Sequence, residues 1–173
     1  MGSEMCIRDR SKIESMEKKF ESVSIEELLE QVQSNLHADI VRSGATIKVV
    51  GENHIVCGDR TQLHQLLQNL ISNALKFHPP ERPPVVEVSV EGRDSDVQIV
   101  VRDNGIGIPQ HKLQEIFGAF SRLHAEEDYE GSGIGLSICK KIVERHQGVI
   151  RADSTPGEGS AFTFSLPREC NEG

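Results

Sequence analysis

Asp103-Asn104-Gly105-Ile106-Gly107-Ile108-Pro109 is followed, after about two dozen polar residues, by Gly131-Ser132-Gly133-Ile134-Gly135-Leu136. Glycine lets a backbone approach a ligand closely and adopt positive φ. Two glycine clusters around a segment too polar for a core therefore suggest a phosphate-binding enclosure with a movable flap. Alone, the first cluster is ambiguous, because Asn-Gly is also a common hairpin turn. The choice depends on whether neighbouring elements supply the groups such an enclosure needs.

Upstream, Arg60 to about Phe77 reads as a helix with Asp59 as its N-cap. At about 100° per residue, Leu63, Leu66, Leu67, Leu70, Ala74 and Phe77 share one side. Gln65, Asn69, Asn73 and Lys76 share the other. Asn is a poor interior helix former, so two on one stripe ask for a reason. An Asn carbonyl suits a hard cation such as Mg2+, and a Lys ammonium suits phosphate. A plain solvated face is the competing reading. His78-Pro79-Pro80-Glu81-Arg82-Pro83-Pro84 stops this helix as a loop. Val85–Val90 and Val97–Arg102, joined by Gly92-Arg93-Asp94-Ser95, predict a β-hairpin, which sets Asp103 just past the end of a core strand.

Toward the N-terminus, Met1–Arg10 lacks periodicity and reads as a leader; charged Ser11–Glu21 reads as the end of a preceding helix. Ser24 with Glu27 forms a capping-box pattern, and Ile25, Leu28, Leu29, Val32, Leu36 and Ile40 predict one helix to about Val41. Ala45–Val50 and Ile55–Cys57 are β-type runs with Gly51-Glu52-Asn53 as the turn between them. Downstream, His111–Phe117 predicts a short helix and Gly118–Glu130 a lid. The glycines from Gly131 open a helix to about His146, whose free N–H groups make an anion site. Val149–Asp153 and Ala161–Leu166 are closing strands around the turn Ser154–Gly159, and the tail after Pro167 is expected to be loose.

A length of 173 residues, 36% of them hydrophobic and 27% charged, fits one globular domain. The formal charge of −8 disfavours a nucleic-acid partner. No apolar run nears the roughly 18 residues of a membrane span, so no membrane contact is expected and a cytoplasmic setting is. Cys6, Cys57, Cys139 and Cys170 form no CxxC and are expected to be free thiols.

Taken in order, these stretches resemble the ATP-binding catalytic domain of sensor histidine kinases, in the superfamily shared with DNA gyrase B, Hsp90 and MutL. Gln65 to Phe77 is similar to the N box and Asp103 to Pro109 to the G1 box. Ile116 to Leu123 is similar to the F box, Gly131 to Leu136 to the G2 box, and Gly157 to Phe162 to the final glycine turn. The resemblance spans residues 22–167 and implies an α+β, two-layer sandwich of the Bergerat type. Its sheet would be mixed and mostly antiparallel, covered on one face by about three helices, with a flexible ATP lid.

The resemblance implies a role for each site residue. Asp103 would accept a hydrogen bond from the adenine amino group, with Gly105 and Gly107 passing beside the base and Phe77 packing near it. Asn69 would coordinate Mg2+, and Asn73 and Lys76 would contact phosphate oxygens. Gly131, Gly133, Gly135 and Leu136 would border the phosphates, Arg122 would reach the γ-phosphate, and Ser160 would line the base pocket. Gln65 stands where the ATP-hydrolysing relatives carry Glu, and an amide cannot act as a general base. Transfer to a protein acceptor is thus favoured over hydrolysis. The acceptor motif His-Glu/Asp-Leu-Arg is absent; His64 and His146 read as surface or helix-end residues. The partners implied are ATP, a histidine-bearing dimerisation domain outside this chain and, indirectly, a response regulator. A serine kinase of the anti-sigma-factor type and a degenerate docking module are the alternatives.

Overall fold

The computed structural model describes residues 20–110, 113 and 134–168. In chain order the elements are β1 (Glu21–Ser24), α1 (Ile25–Asn35), α2 (His37–Ser43), β2 (Thr46–Val50), β3 (Ile55–Gly58) and α3 (Arg60–Lys76). They continue as β4 (Val85–Gly92), β5 (Asp96–Asp103), α4 (Ile134–Arg145), β6 (Ile150–Thr155) and β7 (Gly159–Pro167). The predicted short helix over 111–117 and the lid over 118–130 fall outside the described residues, Leu113 excepted.

The main sheet has the order β2-β4-β5-β7-β6, with β2 parallel to β4 and every other pair antiparallel. It is the mixed, mostly antiparallel sheet expected. Alternation does the sorting in the central hairpin. Val86, Val88 and Val90 of β4 and Val97, Ile99 and Val101 of β5 are buried on the helix side. On the opposite side Glu87 and Arg102 pair at 3.7 Å.

α3 is the middle helix of the covering layer, packed between α1 and α4 and lying on β4 and β5. Its buried residues include Leu63, Leu66, Leu67, Leu70 and Ala74 of the expected stripe, and also Ile71 and Leu75, which that stripe lacked, while Phe77 is half-buried. α1 contributes Ile25, Leu28, Leu29 and Val32, and α4 contributes Leu136, Cys139, Ile142 and Val143. α2 has no fully buried residue and sets only half-buried Ile40 against the core, so three helices carry most of the layer.

Three features differ from the sequence reading. The single helix expected to Val41 breaks at Leu36, whose φ of −97° and ψ of 9° leave the helical range. The Asn35 amide at the break turns to His64 at 3.0 Å and Gln68 at 3.3 Å on α3, while Leu36 is drawn into the core. Second, the runs flanking Gly51-Glu52-Asn53 are not partners. β2 joins the main sheet, and β3 pairs antiparallel with β1, a strand too short to show in the pattern. Glu21 therefore begins a strand rather than ending a helix. Third, His146 is fully buried at its helix end, not exposed. Among the cysteines, Cys139 is free and buried, as expected. Cys57, expected free, is disulfide-bonded.

Candidate functional site

β5 ends on Asp103, and its pairing with β4 and β7 fixes the direction in which that side chain leaves the sheet. Both of its hydrogen bonds among the described residues end on Oδ1. The Gly105 N–H donates at 2.8 Å and the Ser160 N–H at 3.3 Å. Oδ2 has no hydrogen bond among the described residues. Burial pushes the carboxyl above its ordinary value of 3.8, opposed by the two backbone donors.

The loop after Asp103 crosses two backbones at close quarters. A Cβ on Gly105 would stand 2.2 Å from the Phe77 carbonyl oxygen, and one on Gly107, at φ +78°, would stand 2.3 Å from that of Thr155. Only glycine fits either position. Backbone bonds pin what lies between: Ile106 N–H donates to Phe77 O at 3.1 Å, and Gly157 N–H donates to Ile106 O at 2.7 Å. The Ile108 N–H donates to the Ser154 hydroxyl at 2.7 Å, and Ser154 also meets Ser160 Oγ at 2.8 Å. Ser160 thus offers Asp103 its amide, while its hydroxyl is tied to Ser154. Asn104 turns the other way, accepting from Val85 N–H at 2.8 Å and donating to Pro83 O at 3.2 Å.

On α3 the polar stripe runs toward the same loop. Asp59 caps the helix through Gln62 N–H, and Phe77, its C-cap, receives Ile106. Asn69, Asn73 and Phe77 are half-buried and Lys76 is exposed. The Asn69 side chain hydrogen-bonds the Cys139 sulfur of α4. That bond engages the amide nitrogen as donor. Burial pushes the Cys139 thiol up to about 12.

The fold thus gathers Asp103, Gly105, Gly107, Ser160 and Phe77 at one end of the sheet, where α3 terminates. Leu136 is buried in the core as part of α4. Gly135 lies in the first turn of α4, and Arg122, Gly131 and Gly133 fall outside the described residues. Arg82 and Ser154 are residues the sequence reading missed. Arg82 reaches Gly105 O at 2.9 Å and Gly157 O at 3.2 Å. Its position in a Pro-rich loop was the only available signal.

The family model for histidine kinase-, DNA gyrase B- and HSP90-like ATPases matches residues 58–169. The chain belongs to this family. Within it, this ATPase domain is of the histidine kinase type. It is similar to the catalytic domain of histidine kinase ThkA, with a TM-score of 0.75 at 27% identity over 87% of this chain and 96% of that one. It is also similar to full-length ShkA solved in complex with AMPPNP, with a TM-score of 0.75 and 27% identity over 88% of this chain and 32% of that one. In sequence it is 40% identical over 157 residues to phytochrome-like protein Cph1 of Synechocystis sp., covering 91% of this chain. The domain spans 21% of that relative, about a fifth of its length.

Proposed function

We propose that this domain binds Mg-ATP and transfers the γ-phosphoryl group to a histidine on a dimerisation domain outside this chain. The observation that carries the proposal is Asp103, a buried carboxylate whose Oδ1 is held by two backbone amides and whose Oδ2 is left to meet the adenine amino group. The ShkA complex with an ATP analogue supports a nucleotide in such a fold.

The remaining roles are those that the family resemblance implies. Gly105, Gly107, Phe77 and Ser160 border the base. Asn73 and Lys76 contact phosphate oxygens, and Arg122 with the backbone of Gly131, Gly133, Gly135 and Leu136 closes around them. Among the described residues no group of three or more His, Cys, Asp or Glu could hold a metal. The donor set nevertheless fits Mg2+, which keeps waters and phosphate oxygens as ligands and needs few from the protein. Asn69 would hold it through its carbonyl oxygen, and the ion would supply charge neutralisation at the phosphates. The bond from the γ-phosphorus to its bridging oxygen breaks, a bond to an imidazole nitrogen forms, and ADP leaves. Gln65, exposed on α3, offers no general base for hydrolysis.

No helix among the described residues is long and apolar enough to cross a membrane. We place the domain in the cytoplasm, passing its phosphoryl group onward through the acceptor histidine to a response regulator. The test is to titrate ATP with and without Mg2+. The domain is then mixed with a separate histidine-bearing helical domain and assayed for acid-labile, base-stable phosphate. A phosphoserine product would transfer the chain to the anti-sigma-factor type of kinase. Absence of any phosphoprotein despite ATP binding would favour a docking module.

A further inference from the structure

Arg82 ties together two segments far apart in sequence that border Asp103. Its Nη2 donates to Gly105 O at 2.9 Å and to Gly157 O at 3.2 Å, so one –NH2 group spends both hydrogens across the gap. The two carbonyls belong to different walls. Gly105 follows Asp103 and donates its own N–H to the Asp103 carboxylate. Gly157 lies in the turn between β6 and β7 and donates its N–H to Ile106 O. Arg82, Gly105, Ile106 and Gly157 thus form a closed ring of contacts around the loop that follows β5. Without Arg82, the Gly157–Ile106 bond would be the remaining link in that ring.

The arginine is itself held in place. Its N–H donates to Pro79 O at 3.1 Å, and its carbonyl accepts from His78 Nδ1 at 3.1 Å. Pro79, Pro80, Pro83 and Pro84 restrict the loop on both sides. Its Nε is buried with no partner among the described residues, a desolvation cost borne by a group whose other nitrogen makes both carbonyl contacts.

We propose that Arg82 is a positioning residue for the nucleotide base. It sets the spacing between the Gly105–Gly107 backbone and the Thr155–Gly157 turn, and so fixes how the Asp103 carboxylate meets the base. Its action on the base runs through Gly105, whose carbonyl it holds. The clamp rests on the reading of this pocket as an adenine site. A guanidinium suits the task because its hydrogens lie in one rigid plane and its charge strengthens both bonds.

The test compares the wild-type chain with R82M and R82K in three readouts. These are affinity for ATP, the ratio of ATP to GTP affinity, and amide hydrogen exchange. R82M is expected to weaken ATP binding by about tenfold, as for loss of a charge-assisted hydrogen bond, and to narrow the ATP-to-GTP ratio. Exchange at the Gly157 amide should accelerate while amides in α3 and β4 keep their protection. R82K, which keeps a charged donor, should recover part of both effects. Unchanged affinity and unchanged Gly157 exchange in R82M overturn the clamp. Equal loss for ATP and GTP with faster exchange throughout, and no recovery in R82K, reduces Arg82 to a stability role and also overturns it. A wild-type chain that binds no adenine nucleotide overturns the pocket reading and the positioning role with it. The exchange of Gly157 in R82M separately decides whether the two walls are tied.

Discussion

The rings of Phe20 and His146 stack, with centroids 4.5 Å apart and planes 12° from parallel. His146 Nδ1 lies 2.7 Å from Ile142 O, and Nε2 lies 3.0 Å from the Asp59 N–H. One neutral tautomer satisfies both, with Nδ1 donating and Nε2 accepting. The ring therefore joins the last turn of α4, the N-cap of α3 and the residue that leads into β1. Gly58 lies directly beneath it, since a Cβ there would stand 2.7 Å from the ring. Replacing His146 by Ala should leave the Asp59 N–H unpaired in a new cavity and lower unfolding free energy by about 2–4 kcal/mol. Phe20→Ala, at a half-buried position, should cost about 1 kcal/mol. Urea unfolding of the two variants measures both, and equal small losses would show the ring to be incidental.

Asp103→Asn keeps the shape of the side chain but removes its charge. Its ATP affinity should fall by about 1–3 kcal/mol, the scale of a hydrogen bond to a charged group. Calorimetric titration of the two proteins at neutral pH checks this. A variant that binds ATP as tightly as the parent would remove Asp103 from the base pocket.

The same residue predicts a pH dependence with a definite sign. Because burial raises its pKa in the folded chain, Asp103 takes up a proton as pH falls at a higher value than the ordinary 3.8. Loss of the carboxylate weakens acceptance from the adenine amino group, so ATP affinity should drop through that raised pKa. Folding stability moves the opposite way. The folded state binds the proton more tightly than the unfolded one, so the penalty of burying the charge disappears between the raised pKa and 3.8 as pH falls. The difference between wild type and Asp103→Asn isolates both trends from the other carboxylates, and parallel pH curves would contradict them.

Asn69→Asp places a charge where a neutral carbonyl is proposed to meet Mg2+. The Mg2+ concentration needed for half-maximal ATP binding should shift, while the preference for adenine over guanine stays near that of the parent. An unchanged metal requirement would take Asn69 out of the metal role.

Cys139, with its thiol pushed up to about 12 by burial, carries almost no thiolate at neutral pH. Peptide mapping after maleimide treatment should find Cys139 unmodified in the native chain and modified once the chain is unfolded. Rapid native labelling would mean that α3 and α4 separate readily at this contact.

Much of the domain is legible one segment at a time. The stripe on α3, the hairpin of β4 and β5 and the helix from Ile134 follow from local periodicity, and Asp59 shows as a cap. Asp103 stands out because it follows a strand and precedes Gly105 and Gly107. The break at Leu36 was not legible, because it lies where Leu36 enters the core and Asn35 meets residues about 30 positions away on α3. The pairing of β3 with β1, rather than β2, was equally hidden, since alternation marks a strand without naming its neighbour. His146 reads as a polar residue at a helix end, and only the carbonyl of Ile142 and the amide of Asp59 explain its burial.

By itself, then, the order of residues determined the long helices, apart from the break at Leu36, and most of the strands. These depend on spacing within a few turns or a few strand positions, which the chain carries wherever it is placed. Tertiary structure decided what the site residues are held by. Asp103 Oδ1 accepts from the amide of Ser160, 57 residues later. Gly105 meets the turn at Gly157 through an arginine from a third segment. Such contacts arise only when the sheet has closed, because no local preference brings segments this far apart to hydrogen-bonding distance.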